Sequence, residues 1–270
     1  MRSVRLLLLW FFLPWLVALT LGLIPLAWNQ IQVLSGQAEG ERLVKYVLYS
    51  LPNAAGVAVP AATFAAVVFG VAGSRGKVSR PAAHGFVFAV VASMAVLCWL
   101  NWAVPNSNYE LRLLRTQILI DTLPQDHPAQ QSLSRTPERA IQDMLPRDLW
   151  TYTEATLPNA QMEELARRTA WLEVFRRLSL GAAPLAMGLF ALPFGLFLVR
   201  AGHLQTALFS LALALPVGVL FWGAWVVSLR QLGESPARAW IPTLMIAGIA
   251  GLAWLPVRWL GARINASSSE

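Results

Sequence analysis

Leu178-Ser-Leu-Gly-Ala-Ala-Pro184-Leu-Ala-Met-Gly-Leu-Phe-Ala-Leu-Pro193-Phe-Gly-Leu-Phe-Leu-Val199 runs without one Asp, Glu, Lys or Arg. Such a run matches the roughly 20 apolar residues that an α-helix needs to cross a bilayer. It begins directly after Glu173-Val-Phe-Arg176-Arg177 and is followed by Arg200. Charges that stop at both ends of an apolar run mark a membrane boundary. Five further runs share this pattern: Leu6–Trp28, Tyr46–Ala72, Gly85–Val104, Leu204–Leu229 and Ala239–Val257. The expected fold is therefore an all-α polytopic membrane protein with six transmembrane helices, three on each side of one polar stretch. The expected divisions are 1–104, 105–177 and 178–270.

Composition agrees. Apolar residues make up 56% of the chain and charged ones 13%, with mean hydropathy +0.53. That is about half the charge of an ordinary soluble domain, too little to cover a surface facing water. The net charge of +7 does not signal nucleic acid, because the basic residues sit mostly at the ends of apolar runs and form no dense stretch interleaved with aromatics. The lone Cys98 excludes an intrachain disulfide and reads as a small apolar residue. The first run follows Arg2 and Arg5, as a signal peptide would. It is too long for a signal h-region and has no clear cleavage site, so it reads as a retained helix.

Basic residues set the expected orientation. Arg2, Arg5, Arg75, Lys77, Arg80, Arg200, Arg258 and Arg263 fall on one side, with Glu270 as the only acid. On the other, Arg42, Lys45, Arg230 and Arg238 are offset by Glu39, Glu41 and Glu234. Both termini are expected in the cytoplasm, and the stretch Pro105 to Arg177 outside it. In that stretch Thr136-Pro137 reads as an N-cap and first helical position, with Pro146 ending the helix. A second helix is expected from Gln161, with Glu163–Arg167 and Glu164–Arg168 at the favourable i, i+4 spacing, continuing into the fourth span. Short helices and loops are expected here, not a sheet. Pro14, Pro25, Pro52, Pro60, Pro184, Pro193 and Pro216 lie inside the spans. They suit kinked helices around a cavity, or simply the higher proline content of membrane helices.

Catalytic motifs are missing. Gly70 to Lys77 has the wrong spacing for a phosphate loop, and Val78 stands where Ser or Thr would be needed. His84, His127 and His203 are scattered and make no metal set. No carboxylate lies within a span, which argues against a proton relay. The sequon at Asn265 falls on the expected cytoplasmic side. No catalytic residue, cofactor or metal is expected. These absences suit a protein that binds or moves an apolar or amphiphilic molecule using energy supplied by another protein.

Several short segments, taken together, resemble the LptF/LptG permease family of the lipopolysaccharide exporter. They are Leu51-Pro52 with Pro60-Ala61-Ala62, Trp102-Ala103-Val104-Pro105-Asn106, Leu172-Glu173-Val174-Phe175-Arg176-Arg177-Leu178, Ala191-Leu192-Pro193-Phe194-Gly195 and Ala239-Trp240-Ile241-Pro242. The resemblance covers the six spans and thins between Gln117 and Ala160. It implies a permease subunit of an ABC-type lipid exporter in the bacterial inner membrane. A second such permease, or another copy of this chain, would complete an outward cavity. A cytoplasmic ATPase dimer would drive it, lipopolysaccharide or another lipid would be the cargo, and periplasmic bridge proteins would be further partners. Leu16, Leu21, Ile24, Phe221, Trp222 and Trp225 become candidate gate or cavity residues, with ordinary packing or lipid contact as the alternative for each. Arg42 and Lys45 are candidates for a lipid headgroup, and Arg75, Lys77 and Arg80 for a loop that meets the ATPase.

The chain departs from the family in two places. Pro105 to Arg177 is too short for the β-jellyroll that members carry between the third and fourth spans. The loop Gly73 to Pro81 is short and lacks the family's acidic coupling residue. An alternative reading is therefore a membrane scaffold or assembly subunit that docks a partner through 105–177. A lipid-modifying enzyme is a third reading, without a polar constellation to carry it.

Overall fold

A computed structural model describes residues 8–34, 40–73, 79–122, 139–154, 160–198, 203–230, 235–252 and 254. These are almost entirely helical, with no strand among them. A π-helical turn, Leu8–Phe12, leads into α1, Leu13–Leu34. Next come α2 (Gly40–Gly73), α3 (Ser79–Thr122), a 3-10 turn (Ile141–Asp143), α4 (Pro146–Glu154), α5 (Ala160–Phe197) and α6 (His203–Arg230). A 3-10 turn, Pro236–Trp240, opens the last helix, α7, residues 241–252.

Three helices are long and apolar enough to cross a membrane: α3, α5 and α6. A fourth span is made by α2 if its two halves count as one. Gly40–Gly56 and Ala58–Gly73 meet at 56°. The bend falls one turn before Pro60, which has no N–H to offer the carbonyl of Gly56. α1 contributes a shorter apolar helix, Trp10–Pro25. The protein is thus an integral membrane protein built from helices.

The expected helix ending at Pro146 is a correction. Arg139 lies outside any helix, Ala140 is extended, only Ile141–Asp143 turn, and Pro146 opens α4. Proline fits there because the first turn of a helix has no use for its missing N–H. Thr136 and Pro137 lie outside the described residues. α3 also continues past the expected end of the third span at Val104, straight through Pro105 to Thr122. Pro105 withholds one N–H, the partner of the Asn101 carbonyl, and the helix continues on its remaining bonds. Asn101 Nδ2 donates to the Leu97 carbonyl at 2.8 Å and Asn106 Nδ2 to the Trp102 carbonyl at 3.0 Å. α5 does run unbroken into the apolar run from Leu178, as expected, with Glu163–Arg167 and Glu164–Arg168 paired at 2.8 and 2.6 Å.

α2 and α5 pack together at the centre, with α3 against both; α1 and α6 flank α2, and the segment from Pro236 lies on α5. Phe64, Val67, Val68 and Val71 follow helical spacing along α2 and are fully buried. They face Leu180, Ala183, Met187, Ala191 and Leu192 of α5 and Val96, Leu100 and Val104 of α3. Phe64, Phe190 and Phe194 form a ring cluster, with the last two edge-to-face at 5.2 Å.

Lipid competes well with apolar side chains, so packing and hydrogen bonds must hold such helices together. Gly181, Gly188 and Gly195 recur every seven residues on α5 and admit Leu97, Ala89 and Val71 at close range. Polar contacts add to this. Trp15 Nε1 donates to Thr63 Oγ1 at 3.3 Å, joining α1 to α2. Trp99 Nε1 donates to the Pro52 carbonyl at 3.0 Å, joining α3 to α2. Ser179 and Thr243 hydroxyls meet at 2.9 Å, joining α5 to α7. At the Pro184 turn, the Leu185 N–H donates to buried Ser93 Oγ of α3 at 2.8 Å. Ser93→Ala removes that acceptor and should lower stability by about 1 kcal/mol, the size of membrane interhelical hydrogen bonds. Thermal unfolding in detergent measures it. An unchanged melting temperature would mean that the amide finds another acceptor.

Candidate functional site

Charge concentrates where α3 and α5 extend beyond their apolar runs. The α3 extension carries Arg112, Arg115 and Asp121 at helical spacing, toward α2 and the Ile141–Asp143 turn. Arg42 of α2 pairs with Asp121. Arg115 Nε donates to Tyr46 Oη at 3.0 Å, and its guanidinium lies 5.2 Å from that ring's centre. Tyr46 is buried with Leu114 and Ile118, so this contact sits on a small apolar cluster of its own.

The second part of the cluster is buried. Glu173 receives Arg176 in a two-pronged pair, Nε and Nη2 each at 2.7 Å, and Arg177 Nε at 2.8 Å. Arg177 is 3% exposed, so its charge depends on those partners. Its Nη2 reaches the carbonyls of Gln142, at 3.3 Å, and Met144, at 2.9 Å. Between them, Asp143 is fully buried and pairs through Oδ2 with Arg112 Nη2 at 2.5 Å. Burial pushes the Asp143 carboxyl above the usual carboxylate range, against the pull of Arg112. Arg139 lies over the Tyr109 ring at 5.0 Å. The cluster ties α3, the turn and α5 into one unit. α4 adds Leu149, buried, and Trp150, edge-to-face with Trp171 of α5.

Two apolar faces remain bare. On α1, Leu16, Leu21 and Ile24 lie with Leu13, Val17 and Trp28 on an exposed stripe. On α6, Trp222 is half exposed among Leu215, Val219 and Leu220, whereas Phe221 points into the core and is buried. The Trp225 side chain lies outside the described residues. Of the five candidates among the described residues, four are exposed and Phe221 alone is buried.

Lys45 pairs with Glu41 at 2.7 Å, which raises the lysine's pKa and lowers the glutamate's. Both headgroup candidates, Arg42 and Lys45, therefore already hold carboxylates. Arg75 and Lys77 lie outside the described residues; Arg80 is in the first turn of α3, with its side chain outside them. No group of three or more metal-ligating side chains occurs among the described residues. Sequence reading missed Arg112, Arg115 and Asp143. It singled out Glu173, Arg176 and Arg177 as a segment but not as a buried network. Only the Glu173–Arg177 spacing hinted at it.

Residues 120–256 match the lipopolysaccharide export system permease family, LptF/LptG. The chain belongs to that family. The match starts at the end of α3 and takes in Asp143, Glu173, Arg177, α5, α6 and α7. It includes the Leu172–Leu178, Ala191–Gly195 and Ala239–Pro242 segments and leaves out those of α2 and the middle of α3. No curated protein and no solved structure matches the chain. Membership makes this a membrane protein of the lipopolysaccharide-transport permease family, and the long apolar helices agree.

Proposed function

We propose that this protein is a permease subunit of an ABC-type exporter of lipopolysaccharide or a related lipid. It works with a second permease, or a second copy of itself, and takes its energy from a separate cytoplasmic ATPase dimer. The observation that carries this reading is the family match over 120–256. In this reading six spans cross the inner membrane, both termini are cytoplasmic, and 105–177 faces outward. The two bare apolar stripes support a paired arrangement. Leu16, Leu21 and Ile24 on α1 and Trp222 on α6 offer apolar surface to a second permease or an acyl chain. Phe221 would then act from behind, shaping α6. Arg42 and Lys45 can serve a lipid phosphate only by exchanging Asp121 and Glu41 for it. Arg75, Lys77 and Arg80 are proposed to meet the ATPase as cations. The described residues of the outward stretch are mostly helical with no strand among them, so contact with bridge proteins would use helices rather than a jellyroll edge.

Affinity capture from native membranes in mild detergent tests this. Mass spectrometry should find an ATPase, a permease and an amphiphilic lipid in stoichiometric amounts. Intact protein that brings down none of the three would overturn the reading. Capture of a different partner that is lost on deleting 105–177, with lipid traffic unchanged, would favour the scaffold instead.

A further inference from the structure

Asp143 is the one fully buried residue of the segment 139–145; Ile141, Met144 and Leu145 beside it are only half-buried. Charge holds the segment where apolar packing does not. From α3, Arg112 pairs with Asp143 Oδ2, and the Tyr109 ring carries the Arg139 guanidinium. From α5, Arg177 Nη2 takes the carbonyls of Gln142 and Met144. Glu173 in turn holds Arg176 and Arg177. Within this set of four arginines and two carboxylates, cations are in excess. The fit is also incomplete at its centre. Asp143 Oδ1 is buried with no hydrogen-bond partner among the described residues, and so is Arg177 Nη1. Leaving a buried donor of a charged group bare is costly. As placed, the carboxylate serves Arg112 and not Arg177 Nη1. A phosphate monoester brings three strong acceptor oxygens pointing in different directions, and paired N–H groups of an arginine match two of them at once. The height suits a lipid phosphate. Arg177 is the last charge before the apolar run from Leu178. Trp102, near the end of the α3 apolar run, and Trp150 of α4 are exposed, as tryptophans are at a membrane–water interface.

We propose that Arg112 and Arg177, with Arg139 and Arg176 beside them, form a phosphate-binding site at the membrane boundary, and that Asp143 is a built-in plug that fills it between binding events. Binding displaces the segment 139–145. The phosphate takes Arg112 from Asp143, and it takes both terminal nitrogens of Arg177, one of them from the Gln142 and Met144 carbonyls. One anion replaces another, so no buried arginine is left without a partner at the end of the exchange. Asp143 leaves with its segment and is solvated. A contact made mainly by charge can be exchanged in this way, where a packed apolar core could not. The site does not rest on the export reading, since a scaffold with the same arginines would bind the same group.

Native mass spectrometry of the full chain, stripped of lipid in detergent, reads the binding. Phosphatidic acid, a phosphate monoester on a diacylglycerol, should bind more tightly than phosphatidylcholine. Asp143→Asn weakens the plug and should bind phosphatidic acid about tenfold more tightly, because a site blocked by its own chain loses apparent affinity in proportion to the time it is filled. Adding Arg112→Gln to Asp143→Asn should cost about tenfold, the scale of one charged hydrogen bond. Adding Arg168→Gln instead, an exposed arginine on the far turn of α5, should cost nothing. Equal binding of the two lipids overturns the site, as does an Asp143→Asn chain that binds no more tightly, or a loss as large with Arg168→Gln as with Arg112→Gln. A second measurement does not need Asp143→Asn to fold. Spin labels on Glu110→Cys and Gln142→Cys, two exposed positions, in a Cys98→Ala chain report the distance from α3 to the turn in phosphatidylcholine nanodiscs. Phosphatidic acid should add a longer distance whose share grows with dose. The same change with inorganic phosphate alone would assign the site to free phosphate instead of a lipid. A distance that neither probe moves overturns the plug.

Discussion

Glu173→Ala should lower stability by about 3–5 kcal/mol, the usual cost of leaving a buried charge without its partner. Glu173 is the only carboxylate within reach of Arg177 among the described residues, and Arg177 is 3% exposed. With the carboxylate gone, Arg177 keeps only two carbonyls of the turn, and Arg176 loses its two-pronged partner. A conversion of about 2–4 °C per kcal/mol puts the drop in melting temperature on the order of 10 °C. Glu173→Gln retains an acceptor and should lose less. Thermal unfolding of detergent-purified protein, followed by size-exclusion chromatography, checks both. A change under about 2 °C in Glu173→Ala would mean that the pair is solvated rather than buried.

Gly188→Val should be nearly as damaging for a different reason. A Cβ at Gly188 would sit 2.3 Å from the Ala89 Cβ of α3, with Val67 of α2 next nearest at 3.8 Å. Neither neighbour has a flexible end to swing away, so α3 and α5 must separate. Overpacking of this kind costs about 1–3 kcal/mol and at times more. Gly188→Ala should be milder, and adding Ala89→Gly should restore most of the loss by moving the methyl across the interface. Gly223→Ala is the control, because nothing lies within 4 Å of that position. It should be neutral or stabilise slightly, since alanine outranks glycine in a helix by about 1 kcal/mol. Failure of the Gly188→Ala, Ala89→Gly exchange to recover stability would show that α3 and α5 do not meet there.

The long apolar helices were legible because a spanning segment states its requirement locally. Twenty uncharged residues in a row must be helical in lipid, where every backbone group needs an internal partner. The same locality made Glu163–Arg167 and Glu164–Arg168 readable, since four residues along a helix is one turn in space. Proline was readable only in part. Pro146 fits a helix start as well as a stop, and which one it is depends on what lies on either side. Pro105 reads as an exit from the membrane, yet α3 passes through it at the loss of one backbone hydrogen bond, because the extension finds packing beyond. Family membership was legible along α5 and at the start of α7, where the Leu172–Leu178, Ala191–Gly195 and Ala239–Pro242 segments fall inside the matched region.

The charge cluster was not legible in the same way. Arg112 and Asp143 are far apart in the chain, and nothing in either's neighbours marks them as partners. Arg177 reaches across more than thirty residues to two backbone carbonyls, which carry no side-chain signature at all. Phe221 and Trp222 look equivalent in sequence, but one helical step turns Phe221 into the core and Trp222 away from it. By itself, the sequence determined that the protein lies in a membrane as a set of helices and belongs with the lipopolysaccharide export permeases, because hydropathy and short motifs act over a few residues. Only the tertiary structure decided which charges are buried together, which glycines let helices touch, and which apolar faces stay bare. Those depend on distances between elements, and pairing at a distance is set by how helices pack rather than by local spacing.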